Sequence, residues 1–288
     1  MTPPRRGSLV LVVKHPPGRE VRTFMKAMAL ALLVILFAGM SSHAAYAWPM
    51  QQRVDTQTYA VTEDVDVVVD GADADVTVTG WDSDRVEVVT KRSAWSDDDL
   101  NSLGASIEPH GDHVLVAARS GSDCMGCSLS IDVRVPAGAH VTVATASGDV
   151  SVHDAGGEVH AHSTSGDISV RNASSALEAF ASSGDIDAKG LSADVDLVAG
   201  SGSITAAFAQ FAHVKHVRAQ SSSGDVSIVV PRGASFGIAS TRSGSIDSNL
   251  RLPIHDFDSG ADVSAKVGDG AATVELESNS GDIDVTMR

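Results

Sequence analysis

The sequence predicts an all-β fold, a single-stranded β-solenoid with about 18 residues and two short strands per coil. Three observations predict it. A Ser-Gly-Asp or Ser-Gly-Ser tripeptide recurs with its glycine at Gly148, Gly166, Gly184, Gly202, Gly224, Gly244 and Gly281. Apolar pairs recur every nine residues between these turns, as Val150/Val152, Val159/Ala161, Ile168/Val170, Leu177/Ala179, Ile186/Ala188, Val195/Leu197 and Ile204/Ala206. The composition is poor in aromatics, at 4%, and rich in Ser, Ala, Gly, Asp and Val, which suits short strands bounded by turns rather than helices.

Taken in chain order, residues 1–47 read as an N-terminal extension and signal peptide. The stretch ahead of Met25 carries Pro and Arg without any apolar period, so Met25 is an alternative start to Met1. Lys26 is followed by the apolar run Ala27 to Met40 and then by Ala45-Tyr46-Ala47, the layout of a basic n-region, an h-region and a small-x-small cleavage site. That run is shorter than the roughly 20 residues of a spanning helix. The expectation is cleavage after Ala47, a mature start at Trp48 and no stable membrane insertion afterwards, against the alternative of an uncleaved anchor. Without residues 1–47 the chain has 15 Lys and Arg against 36 Asp and Glu, a net charge of −21. Such a chain has no basic stripe for phosphate neutralisation, which excludes nucleic acid as a partner.

Residues 48–140 read as an N-terminal β region leading into the coils. Alternation is clear in Asp64 to Val69, Asp75 to Val78 and Arg85 to Val89, and one helix is expected over Ser96 to Leu103, with Ser96 as N-cap before three acidic residues. Residues 141–288 hold the regular repeat. The two members of each apolar pair are two residues apart and share one strand face, with polar residues such as Ser151, Ser169 and Asp187 on the other. Coils stacked at about 4.8 Å would join these patches into a thin core, too narrow for Phe or Trp. The turn glycines are expected to hold positive φ. An irregular stretch, Asn249 to Gly270, reads as a projecting loop.

Val69 to Trp81, Val133 to Ala139 and the serial Ser-Gly-Asp units make the chain similar to the bacterial "putative adhesin" domain-of-unknown-function proteins, over roughly Val61 to Arg288. The Pro-x-Gly-Ala step of that pattern occurs at Pro136 to Ala139 and at Pro231 to Ala234. The resemblance implies a β-solenoid, an extracytoplasmic location and no catalytic residues.

Several constellations could carry chemistry. Cys124 and Cys127 are the only cysteines, and an oxidising compartment favours a local disulfide. With His110 and His113 they could instead make a Zn2+ site, and a thioredoxin-like motif is disfavoured because a strand follows. An 18-residue coil stacks His160, Glu178 and Asp196 into a column of metal-ligand types, or simply a solvated face. Asp149, Asp167 and Asp185 form a second column that would either share Ca2+ or bond turn amides. Gly233-Ala-Ser235-Phe-Gly237 matches a nucleophile-elbow string, but no helix is expected after it, so Ser235 reads as a turn residue.

The expectation is a non-catalytic module, with no cofactor unless Ca2+ or Zn2+ occupies one of these columns. It would be periplasmic or extracellular, contacting an envelope protein or a glycan surface. The alternatives are a polysaccharide-active enzyme and a divalent-cation-dependent structural protein of the envelope.

Overall fold

The structure is a computed structural model that describes residues 50–119, 124–239, 244–250, 252, 254–257 and 260–288. The expected signal peptide, its cleavage site and the alternative start at Met25 lie outside the described residues. The fold is all-β, built on two 11-stranded sheets.

Sheet 1 contains, in spatial order, β1 (Gln51–Ala60), β4 (Arg85–Ala94), β7 (Ser128–Pro136), β3 (Asp75–Trp81), β9 (Val150–His153), β11 (Ile168–Arg171), β13 (Ile186–Leu191), β15 (Ile204–Phe208), β17 (Val226–Val230), β24 (Ile283–Met287) and β19 (Ile246–Ser248). Sheet 2 runs from β22 (Ala265–Val267) through β18 (Phe236–Ala239), β23 (Ala272–Ser278), β16 (His216–Ser221), β14 (Val195–Ala199), β12 (Leu177–Ala181), β10 (Val159–Ser163), β8 (His140–Thr145), β2 (Asp66–Ala72) and β6 (His113–Arg119) to β5 (Gly104–His110).

From β8 to β17 successive strands alternate between the sheets, so neighbours within a sheet are parallel and in register. Val150 faces Ile168, Ile168 faces Ile186 and Ile186 faces Ile204, each partner one repeat further along the chain. In sheet 2 Val159, Leu177 and Val195 are aligned in the same way. Every apolar pair of the repeat is buried, and the buried side chains of both sheets form one contiguous cluster. That is why a two-residue patch per strand suffices: each strand's patch is covered by its neighbours above and below and by the facing sheet.

At both ends the stacking order departs from chain order. β2 and β3 lie between β6/β7 and β8/β9, although β6 and β7 come later in the chain. At the other end β23 and β24 lie between β16/β17 and β18/β19. The long interval from Gly244 to Gly281 therefore does not represent two further coils: Ile283 pairs with Val226 on one side and Ile246 on the other.

Antiparallel strands flank the parallel array. β1 pairs with β4 and β4 with β7, β5 pairs with β6, and β22 pairs with β18. The helix, α1 (Asp97–Ser102), starts where expected: Ser96 Oγ accepts the Asp99 amide at 3.1 Å and donates to the Asp99 carboxylate at 2.7 Å, while Leu100 is buried. The stretch Asn249 to Gly270, expected as a loop, contains β20 (Ile254–Phe257) and β21 (Gly260–Val263), an antiparallel pair outside both large sheets, and then β22.

The core is not closed to aromatics, contrary to the expectation from small side chains. Phe208, Phe211 and Phe236 are buried together with ring centroids 5.1 and 5.9 Å apart. The interval from Gly202 to Gly224 is four residues longer than the 18-residue repeat, and the connection from β15 to β16 within it, residues 209–215, carries Phe211.

Candidate functional site

The repeat residues divide into those that hold the turns and those that face outward, and the first group is accounted for by structure. None of Gly148, Gly166, Gly184, Gly202, Gly224, Gly244 and Gly281 is among the glycines with positive φ, which corrects the sequence expectation. Close approach explains the residue instead. A Cβ on Gly166 would lie less than 3.0 Å from the carbonyl oxygen of Gly148, and the same collision recurs from Gly184 to Gly166, Gly202 to Gly184, Gly224 to Gly202 and Gly281 to Gly224. The left-handed residues form another column, Asp154 (φ 56°), Asn172 (φ 58°) and Gly190 (φ 75°), spaced one repeat apart at the opposite corner. Asp and Asn are the non-glycine residues that visit this region most readily.

The Asp column bonds turn amides. Asp149 Oδ1 accepts from the Asp167 amide at 2.9 Å, Asp167 Oδ1 from the Asp185 amide at 2.9 Å and Asp185 Oδ1 from the Ser203 amide at 2.8 Å. The ladder continues with Asp225 to the Asp282 amide and Asp282 to the Ser245 amide, both at 2.9 Å. A buried hydroxyl column backs it: Ser221 Oγ donates to Gly202 O at 2.8 Å and Ser278 Oγ to Gly224 O at 2.9 Å, with Thr145 and Ser163 both donating to Gly148 O. The sequence offers no hint of these inward hydroxyls, since Ala181 and Ala199 occupy the same column.

The second group lies on the outer face of sheet 2. One column runs Leu115, Val68, Thr142, His160, Glu178, Asp196, Arg218 and Glu275. His160 bridges two carboxylates, with Nδ1 3.0 Å from Glu178 and Nε2 3.4 Å from Glu158. Asp196 instead pairs with Arg218 at 3.2 Å. His160, Glu178 and Asp196 are thus stacked as expected but do not converge on one point, because Asp196 is turned to a cation. In the next column His162 and Phe180 stack with centroids 5.0 Å apart, and Phe180 is 38% exposed, as are Val68 and Leu115 at 37 and 39%. This face mixes apolar and charged side chains in register.

The two-Cys, two-His arrangement is not assembled. His110 and His113 pair across the β5–β6 turn, His113 standing 3.3 Å from Asp66, while the cysteines follow the other end of β6, about 20 Å along the strand. Cys124 and Cys127 form a disulfide with their Cα atoms 5.7 Å apart. Asp99 lies beside the pair, and among the described residues these are the only three ligand-type side chains whose atoms converge within 4.8 Å; both sulfurs are held in the disulfide.

Ser235 is a turn residue. Its Oγ bonds the Asp269 carboxylate and accepts the Asp269 and Gly270 amides, both at 2.9 Å, so it ties the turn after β22 to the start of β18. A strand, not a helix, follows it. No helix among the described residues is long and apolar enough to cross a membrane.

No curated protein matches the chain. Among solved structures, a "putative adhesin" from Bacteroides fragilis is 13% identical, covering 81% of this chain and 97% of its own, with a TM-score of 0.47. A "putative cell adhesion protein" from Clostridium sporogenes is 7% identical over 83% of this chain and all of its own, at TM-score 0.36. A "putative lipid binding protein" from Parabacteroides distasonis is 12% identical over 81 and 96%, also at 0.36. At these identities and scores the likeness assigns no role to this chain. The family model described as Toastrack DUF4097 matches residues 127–286, more than half of the sequence, and the chain belongs to that family.

Proposed function

We propose that the chain is an exported β-solenoid and a non-catalytic interaction module of the cell envelope, which contacts an envelope protein or glycan surface through the outer face of sheet 2. Alternation of strands between two sheets, with a register that repeats coil by coil, supports the solenoid reading. The observation that carries the functional reading is the contrast between the two groups of repeat residues. Turn Asp, Ser and Gly residues are consumed by hydrogen bonds and close contacts, whereas Phe180, Val68 and Leu115 stay exposed on a regular sheet whose polar groups are fixed in register. Val68 and Leu115 lie side by side on this face and Phe180, stacked on His162, lies three strands from Val68, so the face offers apolar contacts among charged ones.

Export rests on the signal-peptide layout of Lys26 to Ala47. N-terminal sequencing of exported material should begin at Trp48, and intact Met25 in a membrane pellet would contradict it.

The face is tested with matched variants in binding to envelope extract and purified envelope glycans. Phe180→Asp and His162→Glu should abolish retention, while Ser169→Glu on sheet 1 should leave it unchanged. Equal losses from both sheets, or none from either, would sink the assignment. The bonded Asp ladder argues against a cation-dependent role, so added Ca2+ should not raise the Tm.

A further inference from the structure

At the edge of the array formed by β1 and β5, residues of both sheets line a cleft of about 310 Å3 that is chemically unlike the rest of this acidic chain. Val86 and Val88 of β4 belong to the core, but the next two inward positions are Thr90 and Arg92. Arg92 is held in place: it donates to Leu103 O at 2.7 Å, to Leu100 O at 3.4 Å and to the Asp55 carboxylate, with its side chain 13% exposed. Its Nε is buried and has no partner among the described residues. Arg119, at the end of β6, enters no ion pair or side-chain hydrogen bond among the described residues. A Cβ on Gly104 would lie 3.0 Å from Arg119 Nη2 and 3.6 Å from Arg92 Nη1, so the two guanidinium groups converge on one wall. Thr90, 5% exposed, lines the same space with no hydrogen bond of its hydroxyl among the described residues, and Gln57 of β1, on the same strand face as Asp55, adds a further polar group.

Buried polar groups are normally paired, and like charges brought together without a counterion repel. Here a solvent-accessible threonine hydroxyl and a guanidinium that pairs with none of the described residues line a cavity whose charged groups, Arg92, Arg119 and Asp55, sum to one positive charge. We propose that this cleft binds a small monoanionic, hydroxyl-bearing ligand, a carboxylated sugar. Its carboxylate would take the two arginines, whose planar forks suit a carboxylate, and its ring hydroxyls would take Gln57 and Thr90. The volume lies at the lower end of the roughly 300–1,000 Å3 of ligand pockets, which suits one sugar ring. Gly104 belongs to the site, since a side chain there would fill the space the arginines reach.

The test is an amide chemical-shift titration of the isotope-labelled exported protein with D-glucuronate, D-glucose and inorganic phosphate. Saturable shifts at Thr90, Arg92, Gly104 and Arg119 are expected with glucuronate and not with glucose. Arg119→Gln should weaken glucuronate at least tenfold, Thr90→Val severalfold, and Arg119→Lys should keep only part of the affinity. Arg119 is exposed, so its variants should keep the wild-type Tm. Equal affinity in Arg119→Gln, or no saturable shift at these residues with glucuronate, would overturn the proposal, as would phosphate binding there without a response to glucuronate.

Discussion

A Cβ built on Gly166 points at the carbonyl oxygen of Gly148, so even the smallest side chain must push one turn away from the next. Gly166→Ala is therefore expected to cost about 1–3 kcal/mol, the usual range for overpacking a rigid site. Gly111, by contrast, holds φ 65° with nothing within 4 Å of its Cβ position. Gly111→Asn should stay within about 0.5 kcal/mol, because Asn tolerates the left-handed region and the site is open. Denaturant melts of the two variants distinguish crowding from dihedral strain: comparable losses would mean that the turn glycines are not packed as described. The carboxylate ladder makes a parallel case. Asp167→Ala removes the acceptor of the Asp185 amide and should cost about 1 kcal/mol, as loss of a capping side chain does. Asp167→Asn keeps an acceptor while relieving repulsion from Asp149 and Asp185, and should melt at or above wild type.

Within one strand the two faces differ sharply. Ile168 is 1% exposed between Val150 and Ile186, so Ile168→Asp should unfold the central strands by burying an unpaired charge. Ser169→Asp should cost well under about 1 kcal/mol; its new carboxylate stands beside Asp187, which Lys189 already pairs at 2.7 Å. Thermal melts check the pair, and equal shifts would mean a wrong register. Strands of this kind were legible in the sequence because alternation records which face is buried. The α1 cap was legible for a similar reason, since Ser96 and the acids after it act within one turn. What lay beyond reach was which strand neighbours which. Val226, Ile246 and Ile283 carry equivalent patterns, and nothing local tells Val226 that its neighbour is the distant Ile283 rather than the nearer Ile246. The cleft at Arg92 was hidden too, because its parts come from β1, β4, β5 and β6 and meet only through antiparallel pairing.

For the molecule as a whole, the transposed strand pairs at both ends place late elements inside the array. β24, the last strand in chain order, is hydrogen-bonded on both sides, and the short β19 forms the edge. Both sheets stay open among the described residues, with β1 and β19 at the edges of sheet 1 and β22 and β5 at those of sheet 2. Between these ends the strands stack in register, the property on which the proposed contact through sheet 2 depends. The stacking order itself is the claim on which all of this rests, and cysteine cross-linking reads it directly. Ser227 and Asp284 are register partners on adjacent parallel strands, whereas Asp247 lies one strand further away, beside Asp284. Adjacent strands are about 4.8 Å apart, within the Cα range a disulfide spans, and strands two apart are not. Under mild oxidation Ser227→Cys/Asp284→Cys should cross-link rapidly and Ser227→Cys/Asp247→Cys should remain free; the reverse result would contradict the described order of the array.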